Sequence, residues 1–162
     1  MTFSETYLPE FDHEMANTHK MLEALPDGQF DWKPHAKSMS LGRLATHVAE
    51  LVEWGALVVN QDSLELGRAA PAQGPATKAA VMELLDKNTA ASHKAIASAS
   101  DEHLAKLWTL LYGGQTIFTM PRAQVLRSVV MSHVIHHRGQ LSVYLRLLDV
   151  PIPGMYGPSA DA

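Results

Sequence analysis

The sequence predicts an all-α protein, a four-helix bundle, and three observations support this fold class. Four long segments repeat apolar residues at alternating spacings of three and four, as amphipathic helices do. The linkers between them are rich in Gly and Pro, most clearly GRAAPAQGP at residues 67–75. The length of 162 residues suits one domain with a sizeable core, so we expect residues 1–162 to form a single domain.

The first two helices are predicted at residues 2–25 and 41–60. The first ends at Pro26 and is followed by a structured loop around Trp32. Ser40 is a suitable N-cap for the second helix. Within that helix Leu44, Leu51, Gly55 and Val58 lie about 20° to 80° from His47 around the axis, so His47 points inward.

A third helix of weaker amphipathicity is predicted at residues 78–98, and a long fourth helix at residues 121–149. Between them, residues 101–111 have helical character and residues 116–120 can be extended, so we expect a short helix or turn and then an irregular connection. Four matched amphipathic helices form an up-and-down bundle, and the long middle linkers allow one crossover. The fourth helix has an uninterrupted seam of Leu126, Val130, His133, His137, Leu141, Tyr144 and Leu148.

Composition excludes several classes of protein. Hydrophobic residues make up 46% and charged residues 19%, which excludes a disordered chain. Thirteen basic and seventeen acidic residues give a net charge of −4 without a basic cluster, so no nucleic-acid partner is expected. The chain has no cysteine. It has neither a secretory signal pattern nor an apolar run long enough for a membrane span, so we expect a soluble, cytoplasmic protein.

The chemistry lies in the nine histidines, of which His133 and His137 are four residues apart on the fourth helix. On a helix these two side chains share one face, about 40° apart, while His136 lies about 60° to the other side of His133. His47 from the second helix is the leading third ligand for a metal ion. The alternative is a set of hydrogen-bonded core or interface histidines. Burying several unpaired imidazoles costs about 1 to 3 kcal/mol each, which favours a shared cation.

Several neighbours of these histidines have open roles. Glu50 can orient a ligand imidazole, act as a base, become a fourth ligand, or be a charge at the helix edge. Gln140 can orient a ligand or satisfy a backbone group. His136 faces a neighbouring helix, a subunit contact or solvent. We expect close helix packing at Gly139 and a surface carboxylate as the partner of Arg138.

Three motifs together resemble the DinB family of metal-dependent four-helix proteins. They are W-K-P-H-x-K-S-M-S-L-G-R-L-A-x-H-x-A-E at residues 32–50, H-x-x-H-H-R-G-Q-L at residues 133–141, and P-x-P-x-x-Y-G-P-S-A-D at residues 151–161. The resemblance implies an antiparallel bundle in which His47, His133 and His137 bind the metal, usually Zn or Ni. It also implies a homodimer, a role in stress response, and kinship with thiol-dependent enzymes such as mycothiol-dependent maleylpyruvate isomerase and bacillithiol transferases.

The expected function is therefore that of a thiol (S-)transferase with a divalent metal ion. A metal ion with an open position lowers the pKa of a bound thiol or water. Because the chain has no cysteine, the thiol must come from a low-molecular-weight cosubstrate. Two rival functions are a non-catalytic metal-binding bundle for stress response and a metal-dependent hydrolase in which Glu50 carries the proton. The sequence leaves the small-molecule substrate unidentified.

Overall fold

Four long helical segments surround one apolar core in the structure, a computed structural model that describes residues 1–67 and 77–161. The first three are α1 (Phe3–Glu23), α2 (Leu41–Asn60) and α3 (Lys78–Ser98). A four-residue helix, α4 (Asp101–Leu104), follows α3. No helix within the described ranges is long and apolar enough to cross a membrane.

The fourth long helical segment, which we call the rod, is continuous but contains a π-helical stretch. It consists of α5 (Arg122–Gln124), a π-helical segment (Val125–Met131) and α6 (Ser132–Leu147). The single α-helix predicted for residues 121–149 is therefore wrong in its first third. The Ser132 hydroxyl donates to the Arg127 carbonyl, five residues earlier, at 3.3 Å. This spacing fits the wider turn of a π-helix.

Side-chain caps explain where the first three helices begin. Thr2 and Glu5 form a capping box at the start of α1. Ser40 accepts a hydrogen bond from the Arg43 amide at 3.2 Å, as its predicted role as the N-cap of α2 requires. The Thr77 side chain likewise accepts a hydrogen bond from a backbone amide at the start of α3. The predicted bounds of the second and third helices are confirmed.

The prediction of an all-α fold is wrong, because the chain also forms a three-stranded mixed sheet and is α+β. The strands are β1 (Ser63–Leu66), β2 (Leu107–Tyr112) and β3 (Gln115–Pro121), in the order β1-β2-β3. β1 is parallel to β2, and β2 and β3 form an antiparallel hairpin. The linkers that we expected to allow a crossover contain these strands. The predicted loop at residues 67–75 lies, from residue 68 onward, outside the described residues.

The sheet covers one part of the core with the inward side chains of its central strand. Trp108 and Leu110 are buried, whereas Leu107 is 62% exposed. This alternation is the period of a strand and differs from that of the helix considered for this region. Gly113 and Gly114 have φ of 56° and 77°, the left-handed conformation that a two-residue hairpin turn needs.

α2, which carries His47, is held between α3 and the rod. A Cβ added to Gly55 on α2 would lie 2.7 Å from the Ser92 hydroxyl of α3. Ser92 in turn donates to the Val52 carbonyl at 2.6 Å and accepts from the Ala56 amide at 2.9 Å. The missing side chain of Gly55 therefore lets the two helices approach closely enough for hydrogen bonds between them.

Arg122, at the start of the rod, fixes the end of α2 against the sheet. Its guanidinium is buried and donates to the carbonyls of Val58, Gln61 and Leu107 and to the carboxylate of Asp62. These carbonyls include those left without partners at the end of α2. One side chain thus joins α2, β2 and the rod, and sets the relative positions of the two helical segments that carry histidines.

The C-terminal residues fold back on α6. Arg146 donates two hydrogen bonds to the Asp161 carboxylate at 2.6 and 3.1 Å, and Asp161 also accepts from the Ile152 amide at 3.0 Å. Ser159 donates to the Ile152 carbonyl at 2.6 Å. These hydrogen bonds hold residues 152–161 against the end of α6.

Candidate metal centre

Three histidines from two helical segments meet at one point of the structure. One ring nitrogen each of His47, His133 and His137 lies within 4.8 Å of the other two. The ring centroids are 4.6 Å apart for His47 and His137, 4.7 Å for His133 and His137, and 5.5 Å for His47 and His133. The structure thus brings together the three residues that the sequence singled out as metal ligands.

The helices account for this arrangement. His133 and His137 are one turn apart on α6 and share a face, as their spacing predicts. His47 faces them from α2, which packs against α6. His137 is 9% exposed and the other two are half-buried, so the group lies close to the surface between the two helices.

The surroundings keep the three imidazoles neutral near pH 7. Burial lowers the pKa of His47 to about 4, with smaller contributions from His137, Arg43 and His133. Burial also lowers the pKa of His133 and of His137. A neutral imidazole has a free lone pair on one ring nitrogen, which is the form that binds a metal. The donor set therefore fits a divalent transition-metal ion.

Gln140 is in contact with one of the three imidazoles. Its side-chain oxygen lies 2.7 Å from Nδ1 of His137, one turn back on α6. An amide oxygen only accepts, so Nδ1 carries the proton in this arrangement and Nε2 keeps its lone pair. The sequence left open whether Gln140 orients a ligand or satisfies a backbone group. In the structure its side chain contacts the candidate ligand His137.

Glu50 lies beside His47 but is paired with another residue. Its Oε2 accepts from Arg43 at 2.8 Å and is 3.9 Å from Nδ1 of His47, too far for a hydrogen bond. The group of converging ligand atoms does not include Glu50. The Glu50 carboxylate is thus balanced by a guanidinium at the edge of the site.

Two aromatic rings flank the group. His136 is exposed, and its ring centroid is 4.8 Å from that of His137. Trp54, one turn beyond Glu50 on α2, lies edge-on to His133 with ring centroids 6.4 Å apart. The structure therefore groups His137 with the other two histidines and leaves His136 on the solvent side, the arrangement that the helical angles favour.

Two expectations for the HHRG segment are wrong. Arg138 does not pair with a surface carboxylate, because it is buried and forms an ion pair with the buried Glu14 of α1 at 2.6 Å. Tyr156 of the tail adds its hydroxyl, 2.6 Å from Arg138 and 2.9 Å from both Glu14 oxygens. Gly139 is exposed, and an added Cβ would meet no described atom within 4 Å, so no helix of the described residues packs closely on it.

The position of Glu14 in the sequence is a signal for this ion pair that the prediction overlooked. Glu14 lies three residues after Phe11 and four before Thr18, on the face of α1 that turns toward the core. A carboxylate on such a face needs a buried partner. Arg138 on the opposite segment is a suitable partner, but only the tertiary fold shows that the two meet.

A sequence model of the DinB family matches residues 1–162, the whole chain. The chain belongs to the DinB family. It is 27% identical over 158 residues, 96% of this chain and 89% of the relative, to a Bacillus subtilis (strain 168) protein described as "Uncharacterized protein YrdA". That description assigns the relative no activity.

Two solved structures have folds similar to this DinB-family chain. One is a DinB-like protein from Bacillus cereus ATCC 10987, with a TM-score of 0.72, 23% identity and coverage of 94% of this chain and 97% of that one. The other is the DinB-like protein YjoA from Bacillus subtilis, with a TM-score of 0.67, 19% identity and coverage of 92% and 96%. These similarities support the fold, whereas the chemistry of the site depends on the histidines.

Proposed function

We propose that this DinB-family protein binds one divalent metal ion through His47, His133 and His137. The observation that supports the proposal is the convergence of three neutral imidazole nitrogens within 4.8 Å of one another. Zinc binds imidazole nitrogen at about 2.0 to 2.1 Å, so small side-chain movements bring all three within reach of one ion. Zn and Ni are the ions that we propose, because nitrogen ligands suit both.

The finer proposal is that the protein is a thiol (S-)transferase. His47, His133 and His137 would hold the ion, which would lower the pKa of a thiol that bound to it. The chain supplies no thiol of its own, so the nucleophile is a low-molecular-weight cosubstrate. Trp54 and His136 flank the histidines, so an apolar and a polar ring are available to contact a bound cosubstrate.

Two rival functions keep the metal site but differ in chemistry. A non-catalytic metal-binding protein for stress response needs only the three histidines. A hydrolase needs a group that moves a proton from water, and Glu50 is the carboxylate beside the site. Its oxygen already accepts from Arg43 at 2.8 Å, which favours the transferase over the hydrolase.

The test of metal binding is elemental analysis of protein purified without added chelator. We expect one equivalent of Zn or Ni in the wild type and a loss of it in His47→Ala, His133→Ala and His137→Ala. His136→Ala is the matched control, since it removes an adjacent histidine outside the group and should retain the metal. A wild type without stoichiometric metal, or a His47→Ala variant that retains it, contradicts the proposal.

Turnover separates the transferase from its rivals. Loaded protein is incubated with a low-molecular-weight thiol and an electrophilic acceptor, and thiol consumption is followed with and without metal. Metal-dependent consumption supports the transferase. Its absence, with the metal bound, favours the non-catalytic protein, and metal-dependent ester or amide cleavage without thiol favours the hydrolase. The homodimer and the cytoplasmic location remain predictions of the sequence.

A further inference from the structure

Within residues 1–67 and 77–161 the three imidazoles form one side-chain hydrogen bond, which Nδ1 of His137 donates to Oε1 of Gln140 at 2.7 Å. We propose that Gln140 is a positioning residue for the metal centre, which holds the proton of His137 on Nδ1 and leaves Nε2 to bind the ion. The inference rests on the proposed metal site and assigns a role to a residue outside it.

Helix geometry makes the contact possible. Residues three apart on a helix are neighbours, so the Gln140 side chain can reach Nδ1 of His137. Gln140 is exposed, so core packing does not require an amide at this position. A partner on the second ring nitrogen fixes both the tautomer and the orientation of a metal-binding histidine. Gln140 thus accepts a hydrogen bond from His137, whereas no described residue hydrogen-bonds the ring of His47 or His133.

The neutral amide also leaves the charge of the centre unchanged. Glu50, the carboxylate beside His47, is balanced by Arg43 at 2.8 Å. Three neutral imidazoles and a neutral amide leave the full charge of a divalent ion for an incoming ligand. A carboxylate in place of Gln140 would accept the same hydrogen bond but add a negative charge. Gln140→Glu therefore tests whether the hydrogen-bond acceptor alone is required or its neutral charge as well.

The first test uses protein without metal. Nitrogen-15 NMR of the imidazole ring reports which nitrogen of His137 is protonated. We expect protonated Nδ1 in the wild type and in Gln140→Glu, and a shift of the proton toward Nε2 in Gln140→Leu. Gln124→Leu is the matched control, because Gln124 is an exposed glutamine on the same rod and makes no side-chain hydrogen bond within the described residues.

The second test is the Zn²⁺ dissociation constant, measured by competition with a chromophoric chelator. We expect Gln140→Leu to bind Zn²⁺ about 10- to 100-fold more weakly, with Gln140→Glu and Gln124→Leu close to or tighter than the wild type. Either an unchanged tautomer or an unchanged affinity in Gln140→Leu overturns the inference, as does an equal loss in Gln140→Glu. If the wild type binds no divalent ion, the proposed function fails, and the tautomer alone decides the role of Gln140.

Discussion

The guanidinium of Arg138 and the carboxylate of Glu14 form an ion pair at 2.6 Å in which both side chains are buried. Arg138 also donates to the Glu14 carbonyl at 3.0 Å and to the Thr18 hydroxyl at 3.1 Å. The pair joins α1 to α6 directly after the candidate ligand His137. Because each charge has its hydrogen-bond partners, the pair is tolerated in the core.

We expect Arg138→Met to be strongly destabilising. It leaves the Glu14 carboxylate buried without its cation, which costs about 3 to 5 kcal/mol of unfolding free energy. Urea denaturation measures the loss. The matched control is Arg127→Met, since Arg127 and Glu10 join the same two helical segments but are 55% and 40% exposed. Exposed pairs contribute about 0 to 1 kcal/mol.

The double variant Glu14→Leu/Arg138→Met sharpens this test. Removing both charges leaves no uncompensated ion in the core, so the double variant should be more stable than Arg138→Met. If Arg138→Met unfolds at the same urea concentration as Arg127→Met, the buried ion pair contributes no more to stability than the exposed one.

The helices and the histidine group were predictable because local patterns determine them. The alternating seam of residues 126–148 places His133 and His137 on one face, and the inward face of residues 41–60 does the same for His47. A ligand spacing of four on a helix needs no knowledge of the fold. The contact between Gln140 and His137 follows from a spacing of three, although the sequence left an alternative open.

The sheet and the buried ion pair were not predictable in the same way. β1 has four residues, and its parallel partner begins more than forty residues later, so nothing near it in sequence indicates the pairing. The run LWTLLY is apolar without a clear period. The pair Gly113–Gly114 between two apolar runs is nevertheless a sequence signal for a hairpin turn. The π-helical segment gives no sequence signal that we recognise.

We expect the docking of the C-terminal tail to depend on the Asp161 carboxylate. Arg146 and the Ile152 amide both donate to it, and these hydrogen bonds lower the pKa of Asp161. Asp161→Asn removes the charge, so amide hydrogen exchange at Ile152 should become faster. Asp31→Asn is the control, because it makes the same chemical change at an exposed position outside the tail. Equal exchange in the two variants would contradict a specific role for Asp161.

The homodimer predicted from the family resemblance is open to a direct measurement. Val143 and Leu147 are 57% and 58% exposed on one face of α6, and apolar residues of this kind are suited to a subunit contact. We expect a dimeric mass by light scattering and a monomeric mass for Leu147→Asp. Ile117→Asp is the matched control, since Ile117 is 56% exposed on β3. A monomeric mass for the wild type would contradict the predicted dimer.

The histidine group also predicts how the stability of the metal-free protein depends on pH. The pKa of His47 falls from 6.5 to about 4 in the folded protein, and burial lowers the pKa of His133 and His137 as well. Between these two pKa values of His47 the unfolded chain binds more protons than the folded chain. The contribution of His47 to the unfolding free energy must therefore fall as the pH decreases through this range, and it stays constant below it.

Urea denaturation in the presence of a chelator, at about pH 7 and about pH 5, measures this loss. We expect a clear decrease for the wild type and a smaller one for His47→Gln, because glutamine does not titrate. His13→Gln, at an exposed position outside the group, is the control for the change of residue. A wild type equally stable at both pH values would show that the imidazoles are not kept neutral by their surroundings. Below about pH 6.5 a metal ion would then have to displace protons from the histidines before it could bind.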